Sequence, residues 1–247
     1  MSLFGRLLGR QKSRWPESWQ TYPGFVGDAA ALWTVDLGAI DAAPVASLPV
    51  RLDVSVPYPA DVDGLPTGHL VEAEVAIRSV VDELGGVYLG RVASGGRCRF
   101  TAHLPAQPSA AVHVPGLADA VATVEYDPHW AYVRDTLAPD ARQHRLLADR
   151  VVLDALASAG DRFDVPREVE HLAFFADEGT AEAAAGDLRA EGFTTAVGPD
   201  GTGELALTAT RTDPVAPPRL HNLTWWVQEA IERHGGTYDG WSCAVAF

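Results

Sequence analysis

The stretch Glu168–Thr212, EVEHLAFFADEGTAEAAAGDLRAEGFTTAVGPDGTGELALTATRT, carries the reading on which the fold turns. EVEHLAFFAD (Glu168–Asp177) reads as a strand, apolar on both faces toward its end. Thr180 is placed to cap the next helix, Ala181–Glu191, with Glu182 in the first turn and Gly192 as its stop. FTTAV and ELALTATRT then pair as a hairpin across the Pro199–Gly203 turn. Downstream, Pro217 and Pro218 open a helix that runs to His234, and TYDGWSCAVAF (Thr237–Phe247) is the last strand. Upstream, Ala141–Ala159 is a helix with Leu146, Leu147, Val151, Leu153 and Leu156 on one broad apolar side and Gly160 at its end.

The order is therefore one helix followed by βαββαβ. That is the ferredoxin-like plan, an antiparallel sheet of four strands with its helices on one face. The first half reads similarly. ALWTVDLG and LPVRLDVSVPYP are strands joined by an Ala/Pro-rich loop. His69–Leu84 is an amphipathic helix with Leu70, Ala73, Ile77, Val81 and Leu84 on one stripe. GVYLGRVAS and RCRFTAHLP form a hairpin around Gly95-Gly96, a short helix is expected near Leu117 within Ala106–Ala120, and ATVEYDPHW is another strand. The expected class is α+β, built as two α/β sandwich domains: a basic flexible tail at 1–14, a domain at 15–140 and the ferredoxin-like domain at 141–247.

Two stretches echo each other, DELGGVYLG in the first half and ERHGGTYDG in the second. In each, the first Gly suits a left-handed helix end and the second a sharp exit into a strand. Strict alternation along the last strand puts Asp239, Trp241, Cys243, Val245 and Phe247 on one face, toward the helices. Tyr238 then falls at the rim of the opposite, shallow face. On the preceding helix, Leu220, Leu223, Thr224, Val227, Ala230 and Ile231 cluster, and Trp225 lies nearly opposite them. An exposed Trp calls for a cover, either another part of the chain or a protein partner. Trp225, Tyr238 and Asp239 are the candidate partner-binding residues.

Composition narrows the function. The 247 residues carry a net charge of −14, with 10 basic and 16 acidic side chains up to Asp140 and 9 and 17 after it. Neither half offers the basic surface that phosphate contacts require, so direct nucleic-acid binding is not expected, and an acidic surface better suits a basic protein. No apolar run approaches the ~18 residues of a membrane span, and no secretory signal opens the chain. With two cysteines, Cys98 and Cys243, a disulfide framework or zinc cluster is not expected, which fits a cytoplasmic setting. Only the first fourteen residues invert the charge, with Arg6, Arg10, Lys12 and Arg14 among Leu3, Phe4, Leu7 and Leu8. They read as a frayed tail or a surface-binding helix.

No catalytic signature is present. GPDGTG lacks the Lys-Ser/Thr of a phosphate loop, and no pair of the eight histidines has helical metal spacing. No cofactor or metal is expected. EYDPHW (Glu125–Trp130) groups two acids, a His and two aromatics, and an enzyme reading would place Glu125 or His129 in a pocket.

From about Leu146 onward, LDALASAGD, PREVEHLAFFAD, LRAEGF and the terminal GGTYDGW resemble the RraB family of ribonuclease E inhibitors. From about Trp15 to Leu137, LPVRLDVSVPYP, GGVYLGRV and YDPHWAYVRDTL resemble an uncharacterised bacterial domain that precedes such modules. The first resemblance implies an acidic, non-catalytic protein that binds and inhibits a ribonuclease, with no catalytic residue to carry over. The leading expectation is a cytoplasmic protein-binding module that regulates RNA turnover. The alternatives are a small-molecule sensor or a hydrolase with its site at the domain junction. Oligomeric state is left open.

Overall fold

A computed structural model describes residues 15–68 and 70–247. The basic stretch 1–14 and His69 lie outside the described residues. The chain divides into two compact units, the first ending at Pro139 and the second spanning Asp140–Phe247.

The first unit holds a six-stranded antiparallel sheet. Its strands are β1 (Trp19–Val26), β2 (Ala29–Asp36), β3 (Val50–Pro57), β4 (Val87–Ser94), β5 (Arg97–Leu104) and β6 (Val121–Tyr126), in the order β1-β2-β4-β5-β3-β6. Helices α1 (Leu37–Ala42) and α2 (Val71–Glu83) complete it. The stripe on α2 buries Ala73, Ile77 and Val81 against Val50, Leu52, Val54, Phe100 and Leu104 of the sheet. A fully buried Ile or Val contributes roughly 1.5–3 kcal/mol. The opposite face is partly covered by the segment that follows β6. Its Trp130 stacks on His103 at 4.2 Å, and Tyr132 lies under the Arg51 guanidinium at 4.6 Å. In its π-helical turn, Val133–Leu137, the backbone carbonyls of Leu137 and Thr136 accept hydrogen bonds from Tyr22 and Trp33.

Three features of this unit differ from the sequence reading. β1 was not expected, because Pro23 and Gly24 punctuate it; it is an edge strand, where a missing N–H is tolerated. The strand before the Ala/Pro-rich loop ends at Asp36, whose carboxylate accepts from Gly38 N and Trp15 Nε1 and so starts α1. No helix forms near Leu117; the segment 105–120 is irregular and contributes Val114 and Leu117 to the core.

The second unit contains α3 (Ala141–Ser158), β7 (Arg167–Phe174), α4 (Glu178–Ala190), β8 (Thr194–Pro199), β9 (Leu205–Asp213), α5 (Pro217–Arg233) and β10 (Thr237–Cys243). The sheet is antiparallel in the order β10-β7-β9-β8, which is the ferredoxin-like arrangement of βαββαβ. All three helices bury their apolar sides on one face: α4 and α5 over Ala173, Leu207, Ala209 and Tyr238, and α3 over Val169 and Trp241. α4 begins three residues earlier than the sequence suggested, because Asp177 is the cap; its carboxylate accepts from Thr180 N at 3.0 Å.

The echoed Gly-Gly-x-Tyr-x-Gly stretches fold alike. Gly85 and Gly235 end α2 and α5 with φ of +70° and +77°. The second Gly of each pair serves close approach rather than a sharp exit. A Cβ on Gly86 would meet Leu104 Cδ2 at 2.4 Å, and one on Gly236 would meet Phe175 Cζ at 2.4 Å. Each following strand carries a β-bulge, between Tyr88 and Gly90 in β4 and between Tyr238 and Gly240 in β10.

Candidate functional site

The bulge in β10 corrects the reading of the last strand. Asp239 is the extra residue, so Tyr238, opposite Ala173, and Trp241, opposite His171, face the helices together. Tyr238 is 9% exposed rather than at a rim, and its phenol is held up by burial. Trp241 is buried as expected, and Asp239 is exposed. Trp225 is partly buried on α5 rather than exposed, and Trp226 beside it stacks on Phe193 at 6.4 Å. The three candidates are therefore not one surface: Asp239 is exposed, Trp225 half-buried and Tyr238 buried.

What the fold assembles behind that strand is a buried polar hub that no motif announced. Asp149 on α3 is 0% exposed. Its Oδ1 accepts from Arg145 Nε at 2.9 Å and from Trp241 Nε1 at 3.0 Å. Its Oδ2 accepts from Thr224 Oγ1 at 2.6 Å and lies 3.0 Å from His221 Nδ1. One carboxylate thus joins α3, α5 and β10, with its lone pairs satisfied as burial of a charge demands. Arg145 also sits 5.1 Å from the centre of the Tyr238 ring. The Tyr238 hydroxyl lies 2.7 Å from His171 Nδ1. The sequence signal for the hub was faint: Arg145 and Asp149 one helical turn apart, and an indole that needs an acceptor once buried.

His171 is 1% exposed, and its Nε2 has no partner among the described residues. Burial pushes the imidazole down to about 4, with the Arg211 charge acting in the same direction. The neutral ring is therefore the folded form, while an unfolded His takes up its proton near pH 6.5. The stabilisation is present above pH 6.5 and is lost as pH falls toward 4, by about 3 kcal/mol in all. We expect urea midpoints of the second unit to fall across this window. In a histidine-resolved NMR titration the His171 ring resonances should not move above pH 5, and movement near pH 6.5 would contradict the buried neutral form.

The enzyme candidates in EYDPHW do not form a pocket. Glu125 is exposed and pairs with Arg51 at 2.6 Å, and His129 is exposed. Asp127 instead holds the next turn, its carboxylate accepting from Ala131 N at 2.8 Å. Among the described residues no group of His, Cys, Asp and Glu is placed to hold a metal ion. The two cysteines are free, and burial pushes the Cys98 thiol up to about 12, so it stays protonated. No described helix is long and apolar enough to cross a membrane.

A two-part chain, with a bulged α/β sheet unit followed by a ferredoxin-like unit, is thus defined by its geometry. Residues 147–243 match the family model described as regulator of ribonuclease activity B. Residues 17–138 match a family of unknown function, DUF695. The two matches coincide with the two resemblances carried by the motifs. No curated protein matches the chain.

Proposed function

We propose that the second unit is a non-catalytic, cytoplasmic protein-binding module that regulates a ribonuclease. The observation that carries this reading is the match of residues 147–243 to a family of regulators of ribonuclease activity. Two properties support it. The motif residues His171, Tyr238 and Trp241 are engaged in internal contacts that dock helices, not in a solvent-facing catalytic group. The net −8 of residues 141–247 disfavours competition for RNA phosphates and favours a protein target. Asp239 and Trp225 are the proposed contact residues, with Tyr238 as the buried support of the Asp239 bulge.

The test compares the intact protein with a Trp225→Ala, Asp239→Asn variant, both used to capture partners from cytoplasmic lysate. A ribonuclease is expected with the wild type and reduced with the variant. The captured enzyme, purified, should cleave a labelled RNA more slowly when the intact protein is added. Unchanged cleavage at saturating protein would sink the reading.

A further inference from the structure

The sheet of the second unit has a second face, and its register defines what lies there. Val169, His171 and Ala173 point to the helices, so Glu168, Glu170, Leu172 and Phe174 point away. Across the ladder, Glu168 stands opposite Thr212 and Glu170 opposite Thr210, which is itself opposite Thr194. On the other side Glu170 stands opposite Ser242 of β10. Glu168, Glu170, Thr194, Thr212 and Ser242 are exposed, and Leu172 and Phe174 are half-buried. No Lys or Arg alternates onto this face, and neither Glu has an ion-pair partner among the described residues.

We propose that this face docks an extended, arginine-rich segment of a protein partner. The inference rests on the preceding section only in taking the partner to be a protein. Charge complementarity selects the occupant. Two exposed carboxylates repel a phosphate backbone, and Phe174, half-buried, offers bases little open ring to stack on. A guanidinium satisfies carboxylates in a fork that matches their geometry. The spacing points to an extended segment. Glu168 and Glu170 alternate on one strand and so stand roughly 7 Å apart, the repeat of alternate side chains in a second extended chain. Aliphatic arginine stems then cover Leu172 and Phe174. A depression of ≈ 370 Å³ bordered by Glu168, Thr194, Thr210 and Thr212 offers the hydroxyls a bound guanidinium can also reach. Arg211 also lines it, with its guanidinium turned to Asp213 at 2.6 Å.

The probe is a fluorescein-labelled peptide of alternating arginine and serine, titrated with the full chain at low salt and followed by anisotropy. Glu168→Gln with Glu170→Gln is expected to weaken binding about tenfold, the scale of two exposed charge contacts made together. Thr210→Lys, which keeps both carboxylates, should weaken it similarly. Asp154→Asn with Glu229→Gln, equal in charge change but on exposed helical positions, should change it less than about twofold. Equal losses from both pairs would reduce the effect to bulk charge and overturn the proposal, as would absence of peptide binding. Binding of a single-stranded RNA of similar length in place of the peptide would also overturn it. If the Glu168→Gln, Glu170→Gln chain still captures a ribonuclease, this surface falls and the regulatory reading stands. If the peptide binds as expected and no ribonuclease is captured, the reverse holds.

Discussion

Replacing Asp149 with alanine is expected to destabilise the second unit by about 3–5 kcal/mol, the range for removing one partner of a buried ion pair. The reason lies in what remains. Arg145, itself buried, keeps its charge with no carboxylate to face. Trp241 Nε1 loses its acceptor in a site closed to water, and Thr224 Oγ1 keeps only the longer bond to the His221 carbonyl at 3.3 Å. Each orphaned donor adds roughly 1–3 kcal/mol of desolvation. Thr224→Val removes one donor and leaves the carboxylate its other three neighbours, and should cost about 1 kcal/mol. Hydrogen exchange of the β7 and β10 amides reports on this unit separately from the first. A loss below about 1 kcal/mol for Asp149→Ala would mean that α3 docks through Leu153 and Leu156 alone.

The second large effect separates two glycines that the sequence presents as equivalents. Gly90 and Gly240 end the same Tyr-x-Gly bulge, with φ of +151° and +149°. Alanine at either is strained, by roughly 1–3 kcal/mol. At Gly90 the added Cβ would also stand 2.6 Å from the Thr34 carbonyl oxygen and 2.8 Å from Val35 Cα. Those are backbone atoms of the neighbouring strand and cannot step aside, which adds about 1–3 kcal/mol. At Gly240 none of the described residues comes within 4 Å of such a Cβ. Gly90→Ala should therefore lower the stability of its unit by about 2–6 kcal/mol and Gly240→Ala by roughly half of that. Urea melts of the two variants decide it, and equal losses would show that conformational strain is the whole effect.

The cause of that asymmetry is position in the sheet. β4 runs between β2 and β5, whereas β10 is an edge. The same placement sets the fate of the bulged residues, Leu89 buried and Asp239 exposed. An exposed bulge at an edge is a means of presenting a side chain and of breaking the pairing that an open edge invites.

Period and punctuation were sufficient to determine much of this protein. The α2 and α5 stripes, the Gly95-Gly96 hairpin and the βαββαβ order of the second half are local consequences of side-chain spacing and of Gly and Pro, and the structure bears them out. The composition likewise disfavoured a nucleic-acid surface through net charge alone. Other features depend on partners distant in the chain. Tyr238 was misplaced because alternation assumes an unbroken ladder, and a bulge shifts everything after it by one residue. β1 was hidden because Pro23 is acceptable only at an edge, and being an edge is a property of the whole sheet. Asp149 could not be singled out among the acids, since only Arg145 is near it in the chain and its other three partners lie 72 to 92 residues away on α5 and β10. Spacing along the chain is written in the sequence, whereas the desolvation that turns an ordinary aspartate into a hub exists only once the elements close around it.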